Sequence, residues 1–206
     1  MSLDEVQSDN PPTLLLVVSG SSGAGKDAVI DRMKELRVPF SHVVTATTRK
    51  RRENEVDGTH YHFVSMERFQ QMITEEQLLE WAKVYDNYYG VPRHAVQEAM
   101  KRGRDVVVKV DVQGAASIRR AVPEAVLIFI RPPSLQTLEK RLRSRRSETA
   151  SELNVRLGKA AWEYEQMPLF DYVLTNQQDG IDNVVRDIQA IVVAEKSRVN
   201  PRRVNL

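Results

Sequence analysis

Not one cysteine occurs among the 206 residues, which excludes disulfides, thiol nucleophiles and cysteine-held zinc together. Histidine is scarce too. His42, His60, His62 and His94 show no ligand spacing beyond one i,i+2 pair, so a metal here needs oxygen donors. Aromatic residues make up only 6% of the chain, without the stacking stripe that single-stranded nucleic acid calls for. The longest apolar runs fall far short of the roughly 20 residues that cross a bilayer, and neither repeats nor low-complexity segments occur. Charge of one sign is also lacking: 30 basic against 28 acidic residues leave +2, so strong anion affinity depends on where the arginines cluster. Residues 1–12 are polar and acidic, with no basic start or apolar centre, and are expected to form a disordered tail instead of a secretory signal. The expected setting is cytoplasmic, with no membrane and no nucleic acid as partner.

What is present begins at Thr13. Leu14 to Val18 is a continuous apolar run, as in a strand covered on both faces of a parallel sheet. Gly20-Ser21-Ser22-Gly23-Ala24-Gly25-Lys26 follows and matches the G-x-x-x-x-G-K core of a phosphate-binding loop. Glycines let successive backbone N–H groups turn inward around a phosphate, the next helix adds its positive end, and Lys26 adds a full charge. Position 27, where Ser or Thr would offer a hydroxyl to Mg²⁺, is Asp27.

Apolar spacing predicts a helix from Asp27 to Leu36, then β-rich His42 to Thr48 running into the basic cluster Arg49-Lys50-Arg51-Arg52 and an alternating strand at Tyr61 and Phe63. A helix is expected over Met66 to Trp81, a turn at Asn87 to Gly90, and a helix from His94 to Arg102 closed by Gly103. Asp105 to Val112 reads as a buried strand that carries Asp111 to the edge where open α/β sheets bind ligands. Further strands at Ala125 to Ile130 and Asp171 to Thr175 alternate with helices at Leu135 to Arg146, Ser147 to Glu165 and Ile181 to Glu195, before a basic tail expected to fray. This alternation predicts an α/β fold with a parallel sheet and helices on both faces.

With those residues assembled, the chain resembles the guanylate kinase family from about Leu14 to Lys196. The most specific part is Thr45, Thr47, Thr48, Arg49, Arg52, Glu55, Gly58, Tyr61 and Phe63 in order; Leu79-Glu80-Trp81, Tyr88-Tyr89-Gly90, Asp111-x-Gln113-Gly114, Pro132-Pro133-Ser134, Arg141-Leu142 and Asn176 add to it. The resemblance implies a P-loop NTPase core with a five-stranded parallel sheet (13–41, 104–134, 170–196), an acceptor-binding insert (42–103), a lid (135–169) and a basic tail (197–206). It further implies transfer of the γ-phosphoryl of ATP to GMP, and to dGMP, with Mg²⁺. Residues 20–27 would then hold ATP, with Asn176 near the adenine. Arg49 and Arg52 would clamp the GMP phosphate with Tyr61 and Tyr89, beside Glu55; Glu80 and Thr45 would read guanine, and Asp111 would serve substrate or metal. Lys26, Arg49 and the lid residues Arg141, Arg145 and Arg156 would stabilise the migrating phosphoryl group, with Arg143 and Arg146 as solvated helix charges.

Blander readings stand beside these. Asp111 could cap a turn, Asn176 could be a polar turn residue, and Glu80 could be the edge of a helix. Three positions depart from the family pattern: Asp27, Val91 after Tyr-Gly where a Ser or Thr near the base is common, and Lys109 where an acidic residue is usual. Asp27 could ligate Mg²⁺ or pair with Lys109. Rival functions are a catalytically impaired phospho-ligand-binding module, a nucleic-acid binder using the basic helix, and a kinase with a changed purine acceptor.

Overall fold

The computed structural model describes residues 12–84, 86–143, 150–177 and 180–206, with the backbone alone at 142 and 150–157. Its centre is β1 (Leu15–Gly20), whose residues are all buried. β1 pairs in parallel with β7 (Val106–Lys109) on one side and β8 (Val126–Arg131) on the other. β2 (Ser41–His42) and β9 (Tyr172–Thr175) complete a five-stranded parallel sheet in the order β2-β7-β1-β8-β9. Alternation along β1 divides the core. Leu14, Leu16 and Val18 face α1 (Lys26–Glu35) and α7 (Ile181–Lys196), while Leu15 and Val17 face α4 (Val112–Ala121) and Val96 of α3 (Arg93–Lys101). Burying each such aliphatic side chain contributes roughly 1.5–3 kcal/mol, so the strand carrying the phosphate loop is firmly held.

A second sheet, in the order β4-β3-β6-β5, lies within residues 46–92: β3 (Ala46–Thr47), β4 (His62–Phe63), β5 (Leu78–Val84) and β6 (Asn87–Pro92). α2 (Met66–Thr74), capped by the Ser65 hydroxyl on Arg68 N–H, packs Phe69 and Met72 on Ala46 and Leu78 to make a small separate core. Here the expected helix to Trp81 is corrected. The helix stops at Glu75, and Glu76 takes a left-handed φ of 52°, a stop with no glycine to announce it. The expected turn at Asn87 to Gly90 is strand instead: Tyr89 pairs with Thr47 and Ala82, and the bend falls at Asp86.

β5 carries a bulge between Leu78 and Glu80. An unpaired extra residue re-aims its neighbours, and three successive side chains reach three places: Leu78 the small core, Leu79 the main core, Glu80 a cleft. The expected strand over Asp105 to Val112 is shorter, because Asp111 caps α4 by accepting Gly114 N–H at 2.9 Å. α5 (Leu135–Arg143) and α6 (Ala150–Glu165) follow β8. No helix of the described residues is long and apolar enough to cross a membrane.

The basic tail does not fray as expected. Arg202 donates to Glu195 (3.0 Å), Asp171 (3.0 Å) and the Ala125 carbonyl (3.2 Å), and Val204 and Leu206 pack on the main core. Its charge finds the buried Glu195 and the more exposed Asp171, which a composition-based expectation of a loose basic end overlooks. Residues 1–11 lie outside the described residues.

Candidate active site

The register aligns Val18 with Lys109 and Gly20 with Ile130, so the strand ends open on one edge, where a cleft of roughly 440 Å³ runs between the two sheets. On one side is the loop from Gly20 to Lys26. Gly25 caps α1 at φ 92°, and a Cβ there would fall 2.4 Å from Asn176 Nδ2; only glycine fits both constraints. The Asn176 amide donates to the Ala24 carbonyl at 2.9 Å, and Arg141 donates to Ala24 O (3.4 Å) and Asn176 O (3.1 Å). Both side chains therefore brace the loop from beneath. Lys26 Nζ folds back onto Gly20 O (2.7 Å) and Ser21 O (3.0 Å). Burial pushes its pKa below the ordinary lysine value, against the pull of Glu163 and Asp27.

Glu163, on α6, accepts the Ser22 N–H at 2.9 Å and is only 2% exposed. Burial raises its pKa even though Ser22 N–H and Lys26 favour the anion. The sequence did not single it out: Lys159 and Glu163 stand at i,i+4 and look like an ordinary solvated helix pair.

Across the cleft, Arg49 NH2 meets Glu55 Oε1 at 2.7 Å, and the other Glu55 oxygen accepts Arg52 N–H at 2.8 Å. Glu55 thus shapes the arginine loop, with both oxygens committed to it. The Arg49 guanidinium lies 5.5 Å from the Tyr61 ring centre and 5.8 Å from that of Phe63, and Tyr61 packs edge-on against Tyr89. Thr47 and Thr48 hold β3 to β6 through Tyr88. Arg52, Glu55, Tyr61 and Tyr89 all line the cleft.

The deep end carries Thr45, Glu80 and Asp111. Glu80 is 6% exposed and its Oε2 has no hydrogen-bond partner among the described residues. Burial, with Asp111 nearby, pushes its pKa up to about 8. A Cβ at Gly114 would fall 2.7 Å from Glu80 Oε2, so this glycine clears room for the carboxylate. Asp111 does two things: Oδ1 caps α4, and Oδ2 is buried without a hydrogen-bond partner, with Lys159 Nζ at 3.8 Å. Val91 is fully buried in the main core and outside the cleft lining, which removes the ground for a changed acceptor at that position.

Asp27 lines the same cleft and is paired with Lys109, whose Nζ also donates to Tyr61 OH at 3.1 Å. Burial works against the Lys109 ammonium, but Asp27 and Tyr61 outweigh it and hold its pKa above the ordinary lysine value. Arg145 and Arg146 lie outside the described residues, as does the side chain of Arg156.

A phosphate-loop motif at the strand ends of a parallel sheet, facing an arginine loop across one cleft, marks a protein of the P-loop NTPase class. The family model for guanylate kinase matches residues 13–195. Guanylate kinases of *Carboxydothermus hydrogenoformans* (40% identical, 93% of this chain and 92% of that one) and *Caldanaerobacter subterraneus* subsp. *tengcongensis* (44%, 91% and 90%) are similar throughout. So is guanylate kinase 2, chloroplastic/mitochondrial, of *Oryza sativa* subsp. *japonica* (44%, 95% and 69%). The crystal structure of guanylate kinase from *Anaplasma phagocytophilum* superimposes with a TM-score of 0.75 at 29% identity, covering 92% of this chain and 89% of that one. The chain belongs to the guanylate kinase family.

Proposed function

We propose that the cleft of this ATP:GMP phosphotransferase works by bringing two anions together between a backbone cradle and an arginine clamp. The observation that carries this is the shared cleft: Lys26 and Ser22 line one side, Arg49, Arg52, Tyr61 and Tyr89 the other. ATP phosphates take the loop N–H groups, and Lys26 turns from Gly20 and Ser21 to meet them. The GMP phosphate takes Arg49 and Arg52, pre-aimed by Glu55, with the tyrosine hydroxyls. Ionised Glu80 accepts the two guanine donors, N1–H and the amino group, beside Thr45. An oxygen of the GMP phosphate then bonds to the γ-phosphorus as the bond from that phosphorus to the bridging β,γ-oxygen breaks, giving GDP and ADP. The protein's contribution is positioning and positive charge.

Mg²⁺ fits the oxygen donors present: Asp111 Oδ2 has no hydrogen-bond partner, and the Asp27 carboxylate is 67% exposed. Among the described residues no three acidic or histidine side chains converge, as suits an ion carried in with phosphates. Bound there, it would neutralise charge on the β- and γ-phosphates. Asp27 would hold it only after parting from Lys109.

Residues 42–103 and 135–169 are proposed to close over the substrates and exclude water, which would otherwise compete as acceptor. Cytoplasmic residence is proposed from the likeness to bacterial guanylate kinases. Intact glycines and Lys26 speak against an impaired binding module. A coupled ADP-release assay with ATP and GMP, dGMP, AMP, UMP or CMP, with and without Mg²⁺, tests the reading. Turnover with GMP and dGMP is expected; equal turnover with AMP would overturn the base assignment.

A further inference from the structure

Lys109 ends β7 at the sheet edge, and its side chain joins the cleft's two halves by hydrogen bonds: Asp27, next to Lys26 on α1, and Tyr61, beside Arg49. Its Nζ lies 4.7 Å from the Tyr61 ring centre, and its side chain is 20% exposed, against 67% for Asp27. An ammonium has three donors, and these contacts account for two of them. Asp27 is the solvent-facing partner, so an incoming phosphate dianion can take the place of its carboxylate and leave the Lys109 ammonium paired throughout.

We propose that Lys109 is a second phosphate-contacting ammonium, parked on Asp27 in the free protein and transferred to nucleotide phosphate at the junction of donor and acceptor sites. Asp27 is then its keeper. The pairing stops two like-charged ammonium groups, Lys26 and Lys109, from facing one empty cleft, and it holds Nζ within reach of both anions. This rests on the site reading above. It gives Asp27 a part that needs no metal, so the test is made without one.

ATP binding to the whole chain is measured by calorimetry with chelator present, for wild type, Lys109→Met, Lys109→Arg, Asp27→Ser and the double variant Asp27→Ser/Lys109→Met. A hydrogen bond to a charged group corresponds to about tenfold or more in affinity. Lys109→Met is therefore expected to weaken metal-free ATP binding at least about tenfold, and Lys109→Arg to stay within about threefold. Asp27→Ser, which frees the ammonium, is expected to bind metal-free ATP more tightly than wild type. The double variant is expected to remain weaker than wild type, because the cation is gone even though the exposed carboxylate is gone too. Wild-type affinity in the double variant would overturn the proposal, since Lys109 would then only neutralise Asp27. Unchanged binding in Lys109→Met would overturn it as well. Should Lys109→Met fail to fold, Asp27→Ser decides: tighter binding supports the transfer, and equal or weaker binding sinks it. A wild type that binds ATP neither with chelator nor with Mg²⁺ would overturn the site reading itself, whereas binding only with Mg²⁺ would keep that reading and sink this inference.

Discussion

The two sides of the cleft are built differently. The donor side is backbone, a loop held from below by Asn176, Arg141 and Glu163 and rooted in a strand whose every residue is buried. The acceptor side is side chains, set on strands as short as two residues and backed by the small core of Ala46, Phe69, Met72 and Leu78. Segments with few buried contacts open at lower free-energy cost than the main core. The acceptor half can therefore move or melt while the donor half stays formed, as the proposed closure over substrates would use.

The sharpest way to break this contrast is Phe69→Ala. Truncating this fully buried ring costs about 3–5 kcal/mol, and the loss should stay local. Hydrogen exchange should rise across residues 46–92 and GMP binding should weaken, with ATP affinity kept; protection lost equally in β1 would show one cooperative unit instead. Next comes Lys26→Met, expected to lower kcat by about 10²–10³, as for loss of one charge-stabilising donor, without raising the GMP KM. Arg49→Ala should raise the GMP KM by roughly 10–100-fold, the range for a lost charged hydrogen bond or two. Glu55→Gln should raise it less, since it only loosens the clamp; steady-state kinetics with each substrate varied in turn separates these cases.

The smallest effect on GMP binding is that of pH. Glu80 titrates near 8 when folded against an ordinary value of 4.5, so between those values the folded chain holds a proton the unfolded chain lacks. Stability from this group declines as pH rises from about 4.5 to about 8 and is level beyond, because the folded state is the one binding the extra proton. GMP affinity should move the other way, rising up to about tenfold from pH 7 to 8.5 as the carboxylate ionises to accept both guanine donors. Calorimetric titration against pH tests this, and Glu80→Gln should flatten both trends.

How much of this was legible varies with the kind of constraint. The phosphate loop and the buried run of β1 are local, so their spacing alone disclosed them. The arginine loop was legible as a pattern, but not the fact that Glu55 spends both oxygens shaping it. β5 was misread because its bulge breaks the period of two, while Met66, Phe69 and Met72 keep a helical period up to a stop that Glu76 makes without glycine. Glu163 and the bracing by Asn176 and Arg141 were illegible, since their partners lie 141, 152 and 117 residues away. Asp111 shows that a capping residue and a cleft residue can be one and the same, with one oxygen for each task.

The docked tail has a consequence for how the molecule is made. Arg202 reaches back 77 residues to Ala125 and 31 to Asp171, and it closes on Glu195, a carboxylate only 1% exposed. During vectorial synthesis the earlier segments fold first, and this latch cannot form until residues 202–206 have been added. Until then Glu195 lacks Arg202 and the face beneath Val204 and Leu206 stays uncovered, while Asp171 has only its ion pair with Arg119. Maturation of the main core thus waits on residues far along the chain from the strands that they cover.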